Sequence, residues 1–128
     1  MSNIQVGFHI DGDVWEPEQI TQVEEHGFDI LTTGEHILFF RPILDTVTVL
    51  AHAAAVTSKI KLLPSTLILP LRHPTMMAKE LTSIDILSKG RLIASVGIGG
   101  DYPREFEACG IPTNERGVRA NEGIEIMR

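Results

Sequence analysis

The chain has 128 residues, of which 43% are hydrophobic and 22% are charged, the composition of an ordinary globular domain. Its formal net charge of −6 disfavours binding to nucleic acid or to an anionic membrane face. A single cysteine, Cys109, excludes a disulfide framework and a multi-cysteine metal site. No apolar run is long enough to cross a bilayer, and the first residues lack the pattern of a signal peptide. We therefore expect a cytoplasmic protein with no membrane or nucleic-acid partner.

Four apolar segments rich in isoleucine, leucine and valine predict β-strands, because each is short and bounded by glycine, proline or aspartate. Each interval between them can hold one helix, and proline, aspartate and glycine stand where helices begin and end. The predicted strands are residues 4–10, 28–33, 60–69 and 91–98, and the predicted helices begin near Pro17, Asp45, Pro74 and Asn114.

This alternation predicts an α/β fold in which parallel strands are covered by helices. A complete (β/α)₈ barrel needs about 250 residues, and four strand–helix units are present here. The chain is therefore either an open four-stranded α/β domain or the N-terminal (β/α)₄ half of a barrel. An isolated half-barrel would leave two apolar strand edges unpaired.

Chemistry in a parallel α/β protein lies at the carboxyl ends of the strands. After the second predicted strand, Glu35 and His36 place an acid beside an imidazole, which suits proton transfer. The alternative is that these two side chains only bridge neighbouring loops. After the first strand, His9 and Asp11 form a polar loop that lines a pocket or, as a weaker alternative, contributes to a metal site.

The other two strand ends carry backbone signals rather than acid–base groups. Pro64 cannot donate to a sheet ladder, so it marks a break in pairing, for which a plain bulge is the simplest explanation. The glycines at positions 97, 99 and 100 let the backbone approach a ligand, although Tyr102 breaks the dinucleotide-binding fingerprint. Arg72 and His73 suit either an anion site or a helix entry, and Cys109 reads as a packing residue.

Taken in order, these segments resemble the luciferase-like monooxygenase family of flavin- or coenzyme F420-dependent enzymes. The likeness extends over residues 1–128 as a single partial domain, the first four βα units of a luciferase-like barrel. The segments that carry it are residues 34–36, 45–60, 69–74, 78–79, 85–91, 96–100, 105–112 and 115–117.

The resemblance implies a (β/α)₈ barrel whose flavin or deazaflavin ring lies across the carboxyl mouth. It implies that His36 is catalytic, near the ring and the substrate, and that Glu35 binds the cofactor. It places a cis peptide bond between Ser65 and Thr66, behind the ring, which replaces the plain bulge as the expected conformation. The remaining residues that the resemblance assigns to the cofactor are Gly99 and Gly100.

The implied reaction depends on the cofactor, which carries the redox step while the protein orients it. Reduced FMN implies monooxygenation of a small organic substrate, and F420 implies hydride transfer. The Gly-x-Gly-Gly segment without an arginine favours F420 over FMN by family analogy. The resemblance also implies a homodimer formed through outer helices.

The length departs from that of the family, so we expect the chain to be a fragment of the full enzyme and to be inactive alone. The rival hypothesis is a non-catalytic half-barrel that self-associates or binds a partner. A third hypothesis, a metal-dependent barrel hydrolase, rests on His9, Asp11, Glu35 and His36. We rank it last and predict no metal site.

Overall fold

The computed structural model describes residues 4–10 and 16–128. Within these ranges the chain alternates between strands and helices, with two short 3₁₀ turns at Leu69–Leu71 and Thr113–Glu115. The elements are β1 (Gly7–His9), α1 (Pro17–Glu25), β2 (Ile30–Thr33), α2 (Thr46–Val56), β3 (Lys61–Pro64), β4 (Leu67–Ile68), α3 (Pro74–Ser88), β5 (Val96–Gly97), α4 (Pro103–Ala108) and α5 (Arg116–Met127).

All strand pairs in the described residues are parallel, as the sequence predicted. One sheet has the order β1-β2-β3, and Leu31 of β2 lies between Phe8 and Leu62 of its neighbours. The second sheet pairs β4 with β5. A bridge between Leu62 and Leu92 joins the two sheets. The predicted class, α/β with parallel strands, is confirmed.

The third predicted strand, residues 60–69, is wrong in one respect, because it is two strands rather than one. β3 ends at Pro64, and the Ser65–Thr66 peptide bond just after it is cis. The Ser65 N–H still donates to the Thr33 carbonyl at 2.7 Å, after which β4 pairs with β5 instead of β2. The fourth predicted strand is also shorter, consisting of β5 and the bridge at Leu92.

The helix boundaries follow from capping groups. Asp45 is the N-cap of α2, and its Oδ1 accepts hydrogen bonds of 2.9 Å from both the N–H and the hydroxyl of Thr48. Proline opens α1, α3 and α4 at their first turns. α3 ends through a left-handed Lys89, followed by Gly90 at φ 80°. The last predicted helix begins two residues later than expected, at Arg116, after a 3₁₀ turn.

Two apolar clusters form the core. The first packs α1, α2 and α3 against the three-stranded sheet, and the second packs α3 against β4 and the turn that follows it. Val47 and Leu92 pack against both clusters and connect them. The fully buried side chains at the centre of the first cluster are Ile20, Leu31, Leu50 and Leu62, and those of the second are Leu67, Leu69 and Met77.

One arginine ties these layers together. The Arg91 guanidinium donates to the carbonyls of Ala54, Thr57, Ile60 and Ser88 and to the Thr57 hydroxyl, at distances from 2.7 to 3.1 Å. Arg91 thereby satisfies carbonyls at the end of α2, at the start of β3 and at the end of α3. No helix in the described part of the chain is long and apolar enough to cross a membrane.

We expect Arg91→Lys to lower the free energy of unfolding by about 1–3 kcal/mol, because an ammonium cannot replace the planar set of donors. Urea unfolding measures this. The matched control is Arg104→Lys, at an exposed position on α4, where a change within about 0.5 kcal/mol is expected. Equal midpoints for the two variants would contradict the role given to Arg91.

Candidate functional site

The carboxyl ends of β2, β3 and β5 surround one cavity of about 290 Å³. Its walls come from the loop after β2, the break between β3 and β4, and the glycine-rich segment at the end of β5. The six residues that the family resemblance assigns to catalysis or cofactor binding lie on these walls. The lining consists of Glu35, His36, Ser65, Thr66, Gly99 and Gly100, together with Ile68, Gly97, Ile98, Asp101 and Glu105.

His36 is held by a buried carboxylate from another element. Its Nδ1 lies 2.9 Å from Glu105 Oε1, and Glu105, on α4, has a side chain only 2% exposed. The second oxygen, Oε2, accepts from the backbone N–H of Ile37 at 2.5 Å and of Leu38 at 3.4 Å. Because an ionised carboxylate only accepts hydrogen bonds, Nδ1 carries a proton and Nε2 is the nitrogen left to exchange one.

In the described hydrogen bonds Glu35 does not pair with His36. Glu35 Oε1 accepts from Arg72, with Nε at 2.8 Å and Nη2 also in contact, and Oε2 accepts from the Ile68 N–H. Glu35 therefore bridges loops, the alternative that the sequence left open. Its oxygens line the cavity but are engaged by protein donors, while the acid on the His36 ring is Glu105.

Glu105 was missed as a site residue although it lies in a segment that carries the family resemblance. The available signal was positional, since α4 follows directly on the glycine segment at a strand end. A carboxylate in the first turn of that helix therefore lies at the same end of the strands as His36. Nothing in the local sequence shows that it is buried.

Arg72 is the centre of a second ionic group. Its Nη2 contacts Glu35 and also lies 2.6 Å from Asp45 Oδ2. Burial lowers the pKa of Arg72, but the hydrogen bond that it donates to Asp45 and the charge of Glu35 outweigh burial and leave that pKa raised. Of the two alternatives that the sequence left open, the structure favours helix entry over an anion site, because the partners of Arg72 are protein carboxylates. His73 is a helix-entry residue, the N-cap position of α3.

The glycine segment approaches the cis peptide closely. A Cβ placed on Gly97 would lie 2.3 Å from the Thr66 hydroxyl. Gly99 has φ 60°, and a Cβ there would lie 2.7 Å from Ile68 Cγ2. Side chains at these two positions would displace the groups that line the cavity. The cis bond at Ser65–Thr66 stands where the family resemblance implies it.

Arg116 lies behind Gly100 and has an unused donor. Its Nη1 donates to the Thr113 carbonyl at 2.9 Å, while its buried Nε finds no partner among the described residues. A Cβ on Gly100 would come within 3.3 Å of that Nε, so a side chain at this position would crowd the guanidinium. A buried guanidinium N–H without a partner suits an anionic oxygen. The sequence analysis gave Arg116 no role of its own.

The proposed metal ligands do not assemble in the described part of the chain, where no group of three or more His, Cys, Asp or Glu could hold an ion. His9 Nδ1 instead lies 2.8 Å from the Thr32 hydroxyl. Asp11 lies outside the described residues. His36 and Glu35 are engaged by Glu105 and Arg72.

Parallel strands with a cavity at their carboxyl ends are typical of parallel α/β proteins, the class that includes the (β/α)₈ barrels. Residues 16–128 match the model of the luciferase-like monooxygenase family. The chain belongs to this family.

Curated proteins are similar in sequence over much of the chain. A protein of unassigned function from Mycobacterium tuberculosis is 34% identical over 88 residues, which are 69% of this chain and 30% of that protein. The pyrimidine monooxygenase RutA of Bradyrhizobium is 35% identical over 124 residues, covering 87% of this chain and 34% of the relative. The chain thus spans about a third of the length of these curated relatives.

Solved structures are similar as well. The monooxygenase RslO1 from Streptomyces bottropensis has a TM-score of 0.82 at 28% identity, over 97% of this chain and 42% of that one. The oxygenating constituent of 3,6-diketocamphane monooxygenase from Pseudomonas putida, in complex with FMN, gives 0.78 at 26%, over 87% and 31%. The F420-dependent tetrahydromethanopterin reductase of Methanopyrus kandleri gives 0.67 at 29%, over 87% and 31%.

We expect neutral His36 to be protonated on Nδ1 and to lose that preference in Glu105→Gln, because an amide can donate as well as accept. Ring ¹⁵N chemical shifts, measured by NMR over a series of pH values, report the tautomer of the neutral ring. Glu107→Gln, an exposed position on the same helix, is the control and should leave the shifts unchanged. A wild-type His36 protonated on Nε2 would contradict the assignment.

The ionic group around Arg72 should make stability depend on pH. Burial raises the pKa of Asp45, but hydrogen bonds from Arg72 and Thr48 outweigh it and hold that pKa below its ordinary value of 3.8. Ionised Asp45 therefore stabilises the fold fully above pH 3.8, and this contribution is lost as the pH falls through the lowered pKa. Asn keeps the size and the capping oxygen but not the charge.

We expect the free-energy difference between wild type and Asp45→Asn to be largest at neutral pH and to shrink as the pH falls below about 3.8. Urea unfolding at a series of pH values measures it. A difference that does not change with pH would show that the charge of Asp45 contributes nothing to stability.

Proposed function

We propose that these residues form the first four βα units of a (β/α)₈ oxidoreductase that uses FMN or F420 and acts on a small organic substrate. One observation carries the proposal: six residues from three separate loops, selected on sequence, line a single cavity at the strand ends. Membership of the luciferase-like family supports it. Similarity to one FMN complex and one F420-dependent reductase supports a cofactor of the flavin type.

The half-barrel arrangement is supported by the strand pairing and by the length of the relatives. Apolar side chains lie open along β1, where Phe8 is 41% exposed beside an apolar cavity of about 440 Å³. A barrel would cover this edge with its last strand and helix. The rival is a second copy of the chain covering the edge without catalysis, and the intact mass of the protein in its own cells separates the two.

The residues present fit a cofactor that carries phosphate. Gly99 and Gly100 keep side chains out of the cavity, and the Arg116 Nε–H has no protein acceptor among the described residues. In this proposal Arg116 meets an anionic oxygen of the cofactor, and Ser65 and Thr66 lie behind its ring. We favour F420 because the glycine segment contains no arginine, an argument by family analogy. When bound, reduced FMN would supply oxygen activation, whereas F420 would supply hydride transfer.

His36 is the proposed proton donor or acceptor beside the ring. Glu105 fixes Nδ1, so proton exchange falls to Nε2. The ring of Phe39 stacks on the imidazole with centroids 3.9 Å apart and an interplanar angle of 7°, which fixes the plane of the ring. Glu35 acts indirectly, because its bonds to Arg72 and the Ile68 N–H hold the loop after β2 against β4.

Cofactor binding tests the proposal on the protein as its cells produce it. We expect FMN or F420 to bind one per chain in a fluorescence titration, and Arg116→Lys to weaken that binding about tenfold through loss of an anion contact. If FMN is the cofactor, riboflavin, which lacks the phosphate, should bind more weakly than FMN and should be insensitive to Arg116→Lys.

Arg104→Lys, at an exposed position, is the control and should leave the affinity unchanged. Binding of neither cofactor would overturn the proposed function. Binding that is insensitive to Arg116→Lys would remove Arg116 from the cofactor site while leaving the cofactor itself in place.

A further inference from the structure

A row of aromatic rings begins at His36 and runs away from the cofactor cavity. Phe39 stacks on the imidazole, and the Phe40 centroid lies 4.3 Å from that of Phe39. Tyr102 stands edge-on to both His36 and Phe39, with centroids 5.2 and 5.0 Å away. The proposed proton-transfer group therefore lies at one end of a continuous aromatic surface.

These rings border a second cavity of about 460 Å³, within the range of small-molecule sites. Phe40 is 74% exposed and Leu38 is 49% exposed, so a ligand in this cavity would remove substantial apolar surface from water. The lining consists of Leu38, Phe39, Phe40, Tyr102, Pro103 and Arg104.

Among the described residues that line the cavity, Arg104 is the charged one and no carboxylate is present. Glu105, which follows Arg104 in the chain, is buried and bound to His36 and to backbone N–H groups. The described lining therefore disfavours a cationic ligand.

The two cavities differ in chemistry and share no lining residue, but residues that follow one another in the chain line both. The first is lined largely by glycine, hydroxyl and carboxylate groups, whereas the second is aromatic. Asp101 lines the first, and the next residue, Tyr102, lines the second. A molecule held against Phe39 and Tyr102 is thus placed beside both His36 and the proposed cofactor.

We infer that the aromatic cavity is the substrate subsite and that it takes a planar, apolar ring compound without a positive charge. The inference rests on the proposed function for its link to catalysis. Flat rings gain offset or edge-on contacts with Phe39, Phe40 and Tyr102 that a flexible chain cannot match.

Three probes test it on the protein as its cells produce it: 2-naphthoate, the cation 2-naphthylmethylammonium and the flexible anion octanoate. Titration calorimetry gives each affinity. We expect 2-naphthoate to bind at least fivefold more tightly than the other two, and Phe40→Ala to weaken it about five- to tenfold. Phe40 is mostly exposed, so its removal should leave the fold intact. Ile86→Ala, at an exposed position on α3 outside the cavity lining, is the control and should have no effect.

Absence of 2-naphthoate binding would overturn the inference, and would indicate that another part of the protein covers these rings. Equal affinity for octanoate or for the cation, or no effect of Phe40→Ala, would overturn it as well. FMN and F420 titrations on the same samples keep the two hypotheses apart. If neither cofactor binds but the naphthoate results hold, the proposed function fails and the aromatic subsite remains.

Discussion

Two buried carboxylates at the strand ends must find donors, and the loops around the cavity are arranged to supply them. Glu105 is satisfied by the His36 ring and by the backbone of Ile37 and Leu38. Glu35 is satisfied by Arg72 and the Ile68 N–H. An unpaired buried carboxylate is strongly unfavourable, so each acid fixes the loop that pairs with it. The loop after β2 is consequently held at adjacent residues, by α4 through His36 and by β4 through Glu35.

Because of these two attachments, the cavity is formed by segments that lie far apart in the sequence. His36 and Glu105 are 69 residues apart in sequence, and Glu35 and Arg72 are 37 apart. Each pair joins a strand end to an element from a later βα unit. The polar groups of the mouth are therefore oriented by the fold itself, since the packing that forms the parallel layers also brings the pairs together. Such pre-organisation is what a site needs to hold a cofactor in one orientation.

Much of the fold was readable from the sequence because its signals are local. The N-cap at Asp45, the prolines that open helices and the apolar strand segments each act within a few residues. Pro64 correctly marked a break in pairing, but the exchange of neighbours after it, from β2 to β5, depends on contacts formed far along the chain. The same limit applies to Glu105, because burial and partner choice are tertiary properties. The sequence likewise could not show that Arg72 pairs with two protein carboxylates rather than with a bound anion, because these partners reach it only in the folded chain.

The close approach of Gly97 to Thr66 and of Gly99 to Ile68 has a consequence for how such a site can diversify. There is no room for new side chains at these two glycines, so substitutions there disturb the backbone before they alter selectivity. The rim formed by Phe40, Pro103 and Arg104 is exposed at each of those positions. Related sequences can therefore vary at the rim while the glycine segment stays unchanged. Ligand recognition can in this way evolve separately from the chemistry of the site.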